Sequence, residues 1–353
     1  MGFHCMRALK KGEGTMQRLD AHSNPATVFG VDRRAVIAGL ASLSLGGLAR
    51  AQSSWPERAV KFIVPLGAGS GADIGARLIG ERLQQAWGKP VIIENRPGGN
   101  GLTAINAFLT ANDNHTLFYG AAATFTVHPY QMDVVPYHFM RDILPVAQAT
   151  VTIAVVAVPA SSPVKTMAEF VKWARDNPGK LNAALVPGVS EITFDRFVKA
   201  EALDITKVPY RNIVDAVADT SSGRIQFISS AYAVVQPAVE GGTVRVIAVT
   251  NSERFSGLPG VATCDEQGFS SMSYEGLAGL FCTELLPPEV RARIGEDVVR
   301  AANDPVIKQR IEATGQMVAP GGAALFQKSI AGQMEEIRRT AEFIGLKAGK
   351  IGP

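Results

Sequence analysis

Residues 59–77 read AVKFIVPLGAGSGADIGAR, an apolar strand that runs into a glycine-rich turn and then a helix. Residues 59–65 leave little polar surface, since Val60, Phe62, Ile63 and Val64 are β-branched or aromatic. Gly67, Gly69 and Gly71 let the backbone turn sharply and approach a ligand closely. Asp73 stands where a helix N-terminus takes a side-chain acceptor, and Ile74, Leu78 and Ile79 begin a helical period. A turn of this kind aims N–H groups and the positive end of a helix dipole at one point in space. That point suits an anion, either a carboxylate or a pyrophosphate.

Downstream, strands continue to alternate with helices. A helix over 74–87, a strand over 90–94, a helix over 103–111 and a strand over 116–119 complete a βαβαβ order, which argues a parallel sheet covered on both faces. The apolar run 149–158 reads as one long strand, and 274–281 as another. Between them fall a helix over 167–176 and strands over 181–186, 207–209, 225–229 and 244–250; helices over 288–303, 305–313 and 323–344 follow. The expected fold class is α/β in two domains, one of residues 52–153 plus 275–353 and one of 154–274. The two long apolar strands are the candidate crossings.

Upstream, Asp32-Arg33-Arg34 leads into fifteen mostly small or apolar residues, 35–49, and then Ala49-Arg50-Ala51. A charged region, a short apolar core and an A-x-A site describe a secretory leader, and the run is shorter than the ~20 residues of a membrane span. Residues 1–51 are therefore expected to be removed after Ala51, leaving a periplasmic protein; the paired arginines suit the twin-arginine route. The whole chain carries 35 Lys and Arg against 32 Asp and Glu. Setting aside the seven basic and three acidic residues of 1–51 leaves 28 and 29, a net charge of −1. That balance gives no footprint for nucleic acid. Cys264 and Cys282 remain and read as two buried small hydrophobes, with a disulfide as the alternative. No Cys/His cluster has metal-ligand spacing, and His115, His128 and His138 read as loop or surface residues.

Two functions fit the glycine turn. Gly67-x-Gly69-x-x-Ala72 follows a strand and opens a helix, and Glu94 ends the next strand, where a dinucleotide fold places its ribose-binding acid. This gives an exported NAD(P)-dependent oxidoreductase as the alternative. Against it, Pro65 stands between strand and turn, and neither an acid–base constellation nor a G-x-S-x-G elbow follows.

The other function comes with a resemblance. Pro65-Leu66-Gly67-Ala68-Gly69-Ser70-Gly71-Ala72-Asp73, Glu94-Asn95-Arg96-Pro97-Gly98 and Asp113-Asn114-His115-Thr116-Leu117 occur in the order of a family pattern. So do Pro136-Tyr137, Asn177-Pro178-Gly179-Lys180-Leu181-Asn182, Val208-Pro209-Tyr210-Arg211 and Arg245-Val246-Ile247-Ala248-Val249-Thr250. Over residues 55 to about 350 the chain resembles the receptors of the tripartite tricarboxylate transporter family, the Bug-type periplasmic solute-binding proteins. The resemblance implies a Venus-flytrap, type II-like fold with two crossing strands. It implies a monomeric receptor, not an enzyme, that needs no cofactor, closes on a small carboxylate and delivers it to a membrane permease or a sensor ectodomain. It places the ligand's proximal carboxylate on Leu66, Gly67, Gly69, Ser70, Gly71 and Asp73 and on the 120–124 loop with Ala121, Ala122 and Thr124. The opposing contacts map to 187–193 with Ser190, to Arg211, and to 229–232 with Ser230. Asp73 has a competing role as a helix cap.

Departures from the family pattern narrow the ligand. Ala121, Ala122 and Ala123 replace the usual serines and glycine, and Ser230 replaces a frequent aspartate. Fewer hydroxyls and no partner for an ammonium disfavour hydroxylated acids and amino acids, because an unpaired buried polar group costs about 1–3 kcal/mol. A mono- or dicarboxylate with an apolar or aromatic body is expected.

Overall fold

The computed structural model describes residues 55–186, 188–210 and 213–352; the expected leader and Arg211 lie outside the described residues. Strand β1 (Val60–Val64), helix α1 (Gly71–Trp87), strand β2 (Val91–Asn95), helix α2 (Leu102–Thr110) and strand β3 (Thr116–Ala121) follow in order. β1 pairs in parallel with both β2 and β3, which is the expected βαβαβ unit. A short helix α3 (Ala123–Thr126), strand β4 (Val134–Val135) and strand β5 (Leu144–Thr152) come next.

The chain then enters a second sheet with β6 (Ala154–Pro159), α4 (Met167–Asp176), β7 (Asn182–Leu185), α5 (Val189–Ala200) and β8 (Thr206–Pro209). Helix α6 (Ile213–Ser221), strand β9 (Phe227–Ala231), helix α7 (Tyr232–Glu240) and strand β10 (Val244–Val249) complete it. The return path supplies β11 (Gly276–Cys282), α8 (Pro288–Asn303), α9 (Pro305–Glu312), β12 (Gln316–Gly322), α10 (Ala323–Ile344) and β13 (Lys350–Ile351). The sheet orders are β12-β5-β11-β3-β1-β2 and β10-β6-β9-β7-β8, with β4 and β13 as a separate pair.

The structure differs from the sequence expectation in the make-up of the first sheet and at the first crossing. The first sheet is mixed, because β11 runs antiparallel to both β3 and β5, and β12 antiparallel to β5. The run 149–158 is two strands. β5 ends at Thr152 in the first sheet and β6 starts at Ala154 in the second, with Ile153 fully buried between them.

Alternation of side chains along each strand divides the core. Phe62 and Val64 face one side with Ile79 and Leu83 of α1 and Ile294 and Val298 of α8. Ile63 faces the other with Ile105 and Phe108 of α2 and Phe326 and Ile330 of α10. The second sheet repeats the arrangement, Phe227 packing on Phe170 of α4 and on Phe194 and Phe197 of α5, and Ile228 on Ala216 and Val235 of α6 and α7. Each such aromatic or aliphatic side chain contributes about 1.5–3 kcal/mol by leaving water. Cys264 and Cys282 are free thiols buried in different cores, and burial pushes them up to about 12 and about 11.

The two crossings are tied together by one side chain. The buried Asn251 accepts from the Ala154 N–H at 3.1 Å and donates to the Thr152 carbonyl and to the Glu275 carboxylate, each at 3.1 Å. Glu275 also accepts from the Ser252 N–H at 2.7 Å. No helix among the described residues is long and apolar enough to cross a membrane.

Candidate ligand-binding cleft

The glycine turn folds onto itself. Ser70, in extended conformation, caps α1 and its Oγ accepts from the Asp73 N–H at 3.3 Å; the cap is Ser70, and Asp73 lies inside the first turn. The buried Asp73 carboxylate accepts from the Gly69 N–H and from Asn95 Nδ2, both at 2.9 Å, and pairs with Arg77 at 2.9 Å. Burial raises its pKa, but the hydrogen bonds from Arg77, Gly69 and Asn95 outweigh that and hold it below the usual carboxylate range. The Ser70 N–H donates to the Gly67 carbonyl at 3.2 Å. Of the N–H groups that the sequence assigned to an anion, those of Gly69 and Ser70 are thus engaged within the turn. Glu94, the alternative's ribose ligand, is paired with Lys61 at 2.9 Å and with Arg96.

Beside this turn, a cavity of ≈ 320 Å³ opens between the two sheets. Leu66 enters it from the end of β1, and Ala121 and Ala123 from the end of β3. Val186, Val189, Ser190 and Thr193 follow β7, while Ser229, Ser230 and Ala231 end β9. These are carboxyl ends of parallel strands, where an open α/β sheet leaves a crevice because its helices turn away there. Thr152, Ala154, Thr250, Tyr274 and Gly276 close the floor at the crossings.

Of the residues proposed from sequence, Leu66, Ala121, Ser190 and Ser230 meet in this cavity, and Thr124 lines an adjoining chamber. Gly67, Gly69, Ser70, Gly71 and Asp73 line neither. Gly69, at φ +82°, serves the turn. Ala122 is fully buried in the aromatic core beside Phe118 and Phe125, with its side chain away from the cleft. Arg211 lies outside the described residues. The sequence missed Ile213 and Val234, which begin α6 and lie in α7 and line the cavity; an apolar residue early in a helix carries no signal that separates lining from core.

The lining is mostly carbon, with hydroxyls at intervals, and no charged side chain is among the described residues that line it. Several hydroxyls already donate to backbone. Thr193 back-bonds firmly to the Val189 carbonyl at 2.7 Å, so it offers mainly its methyl. Ser190 and Ser230 hold only long bonds of 3.3 and 3.4 Å, readily exchanged for a better acceptor. Burial and nearby Glu336 and Glu275 raise the Tyr274 phenol, which stays neutral and accepts from Gln333 Nε2 at 3.2 Å.

Away from the cavity, α5 bridges the two sheets' domains. Its Ile192 packs with Val127 and Ile337. Arg196 donates to the carbonyls of Ser271 and Ser273 at 2.6 and 2.8 Å and pairs with Glu336 of α10 at 2.9 Å. Lys199 donates to the Phe343 carbonyl at 2.6 Å. His115 and His128, read from the sequence as loop or surface residues, are both buried, His115 in the loop before β3. His128 bonds to the Tyr137 hydroxyl at 2.6 Å and to the Asn100 carbonyl at 2.9 Å, pinning the turn after β2.

Comparison with known proteins places these features. A protein from Pseudomonas sp. (strain P51), described as a UPF0065 protein in the tcbD-tcbE intergenic region, is 29% identical over 300 residues, covering 82% of this chain and 88% of the relative. A solved periplasmic transporter shares 27% identity at a TM-score of 0.74, covering 83% of this chain and 99% of its own. MatC from Rhodopseudomonas palustris, solved with bound malate, shares 25% at a TM-score of 0.70, covering 82% and 100%. The model of the tripartite tricarboxylate transporter family receptor matches residues 75–346. The chain belongs to the tripartite tricarboxylate transporter receptor family.

Proposed function

We propose that this protein is a periplasmic receptor that captures a small carboxylate with an apolar body between its two domains and presents it to the permease of a tripartite tricarboxylate-type transporter. The observation that carries the reading is the cavity between the sheets, built from strand ends of both and lined by carbon and exchangeable hydroxyls. Such a lining solvates a hydrocarbon body, while Ser190, Ser230 and backbone N–H groups, directly or through water, serve a carboxylate. Malate in MatC supports the ligand class. Ala121 and Ala123, which line the cavity, support an acid poorer in hydroxyls.

Binding, rather than chemistry, is the role assigned to this cleft. The two domains, 52–153 plus 275–353 and 154–274, close about the Asn251–Glu275 crossing. Residues 1–51 act as the export leader, cleaved after Ala51; N-terminal sequencing of the periplasmic fraction tests this, and an intact leader in the membrane pellet refutes it. The ligand reading is tested by a thermal-shift screen of the exported protein against carboxylates, followed by calorimetry. Short acids with alkyl or aromatic bodies should raise the melting temperature more than citrate, aspartate or glutamate. Tightest binding of an amino acid or of NAD(H) would refute it.

A further inference from the structure

The cleft continues beyond the cavity between the sheets. Its wall at Leu66, Ala121, Ala123, Val186, Val189 and Ser190 also bounds a second chamber of ≈ 490 Å³. The turn 97–101, which follows β2, lines that chamber but not the first. Its successive residues Gly98, Gly99, Asn100 and Gly101 have φ of +125°, +56°, +52° and +95°. Glycine takes such angles freely and is held to none of them, and asparagine accepts the left-handed region at small cost. The shape of the turn therefore comes from a neighbour. That neighbour is His128, fully buried in the segment after α3. Its Nε2 lies 2.9 Å from the Asn100 carbonyl, which can only accept, so Nε2 carries the proton. Nδ1 is then the acceptor, and the buried Tyr137 hydroxyl donates to it at 2.6 Å. Packing adds to the hold, since a Cβ on Gly101 would stand 2.5 Å from the Thr124 methyl and 3.6 Å from Pro65. Backbone kept in sparsely populated regions by its surroundings gathers at ligand clamps, and Gly98, Gly99 and Asn100 are exposed on the chamber.

We propose that the turn 97–101 is a ligand-facing wall of the cleft, and that His128 is the positioning residue that presets it for acids long enough to extend from the cavity into the second chamber. The inference rests on the carboxylate reading of the cleft. A wall ordered before the ligand arrives spares the complex the cost of ordering it. Without the histidine bond that cost returns, and only a ligand that reaches the wall bears it. His128 thus governs how strongly the protein prefers a longer acid over a short one, while touching neither.

Calorimetry on the exported protein with butyrate and octanoate tests this, together with hydrogen exchange, without ligand, of the Gly101 and Leu102 amides that bond within the turn. In the wild type octanoate should bind more tightly than butyrate. His128→Asn keeps an acceptor for Tyr137 but falls short of Asn100. It should weaken octanoate about tenfold, leave butyrate within about twofold, and speed exchange in the turn about tenfold. His128→Gln reaches the place of Nε2 and keeps the donor to Asn100, so it should hold octanoate and the exchange rates within about threefold of wild type. Equal losses for the two acids in His128→Asn, unchanged exchange there, or no rescue by His128→Gln overturns the proposal while the carboxylate reading stands. So does a wild type that binds octanoate no more tightly than butyrate, a result that needs no variant. If neither acid binds the wild type, the carboxylate reading fails and takes this inference with it.

Discussion

Replacing Asp73 by alanine separates a structural carboxylate from a ligand-binding one. The side chain satisfies the Gly69 N–H and Asn95 Nδ2 at 2.9 Å each and pairs with Arg77. Arg77 is 51% exposed and recovers water, so its loss counts for little. The two remaining donors lose charge-assisted bonds in a part-buried turn, at about 1.5 kcal/mol each. The expected destabilisation is about 3 kcal/mol, or about 6 °C in melting temperature for a chain of this size. The pH dependence follows from the depressed pKa. A carboxylate whose folded pKa lies below its unfolded one contributes stability that is fully present above the unfolded value and lost as pH falls through the folded value. The gap between wild type and Asp73→Ala should thus be constant from pH 5 to 7 and close below about pH 4. Asp73 lines neither chamber, so the affinity for the best carboxylate, measured well below the variant's melting point, should stay within about threefold. A variant that melts like wild type yet no longer binds would refute this account and return Asp73 to the ligand.

Gly69→Val, at a residue on which the resemblance places the ligand's carboxylate, should strain the turn at φ +82° by about 1–3 kcal/mol and leave binding intact; calorimetry showing abolished binding at unchanged stability would contradict it. Ala121→Phe should fill the cavity and abolish carboxylate binding with little change in melting, because Ala121 faces the cleft. Ala122→Ser should leave ligand preference unchanged and lower stability by about 1–3 kcal/mol through a hydroxyl placed in the aromatic core; a shift in ligand ranking would reverse the assignment. Arg196→Ala should leave the Ser271 and Ser273 carbonyls unpartnered and cost about 2–3 kcal/mol, read by denaturant unfolding, and an unchanged midpoint would show that α5 does not brace the two domains.

Much of the architecture was legible because its causes are local. The strand–glycine–helix unit at 59–77 and the apolar helix faces each depend on neighbours within a few residues. Helix α4 lies where its threonine cap and Asn177-Pro178-Gly179 stop place it. Other elements had no local signature. Strand β12, QMVAPGG, contains a proline and two glycines that speak against a strand, and it forms because β5 offers an irregular antiparallel edge. Helices α5, α6 and α7 begin with β-branched or aromatic residues that fit strand or helix alike, and packing on the second sheet settles them.

By itself the sequence determined the α/β class, the family and the position of the sharp glycine turn, since each is a property of contiguous residues. Only the tertiary structure decided that the run 149–158 divides at Ile153, because β5 and β6 find different hydrogen-bonding partners on either side of it. It alone decided that Asp73 turns inward while Ala121 and Ala122, adjacent in the chain, face the cleft and the core. A cleft between two domains gathers strand ends far apart in sequence, and which side chain points into it depends on how those ends meet across space.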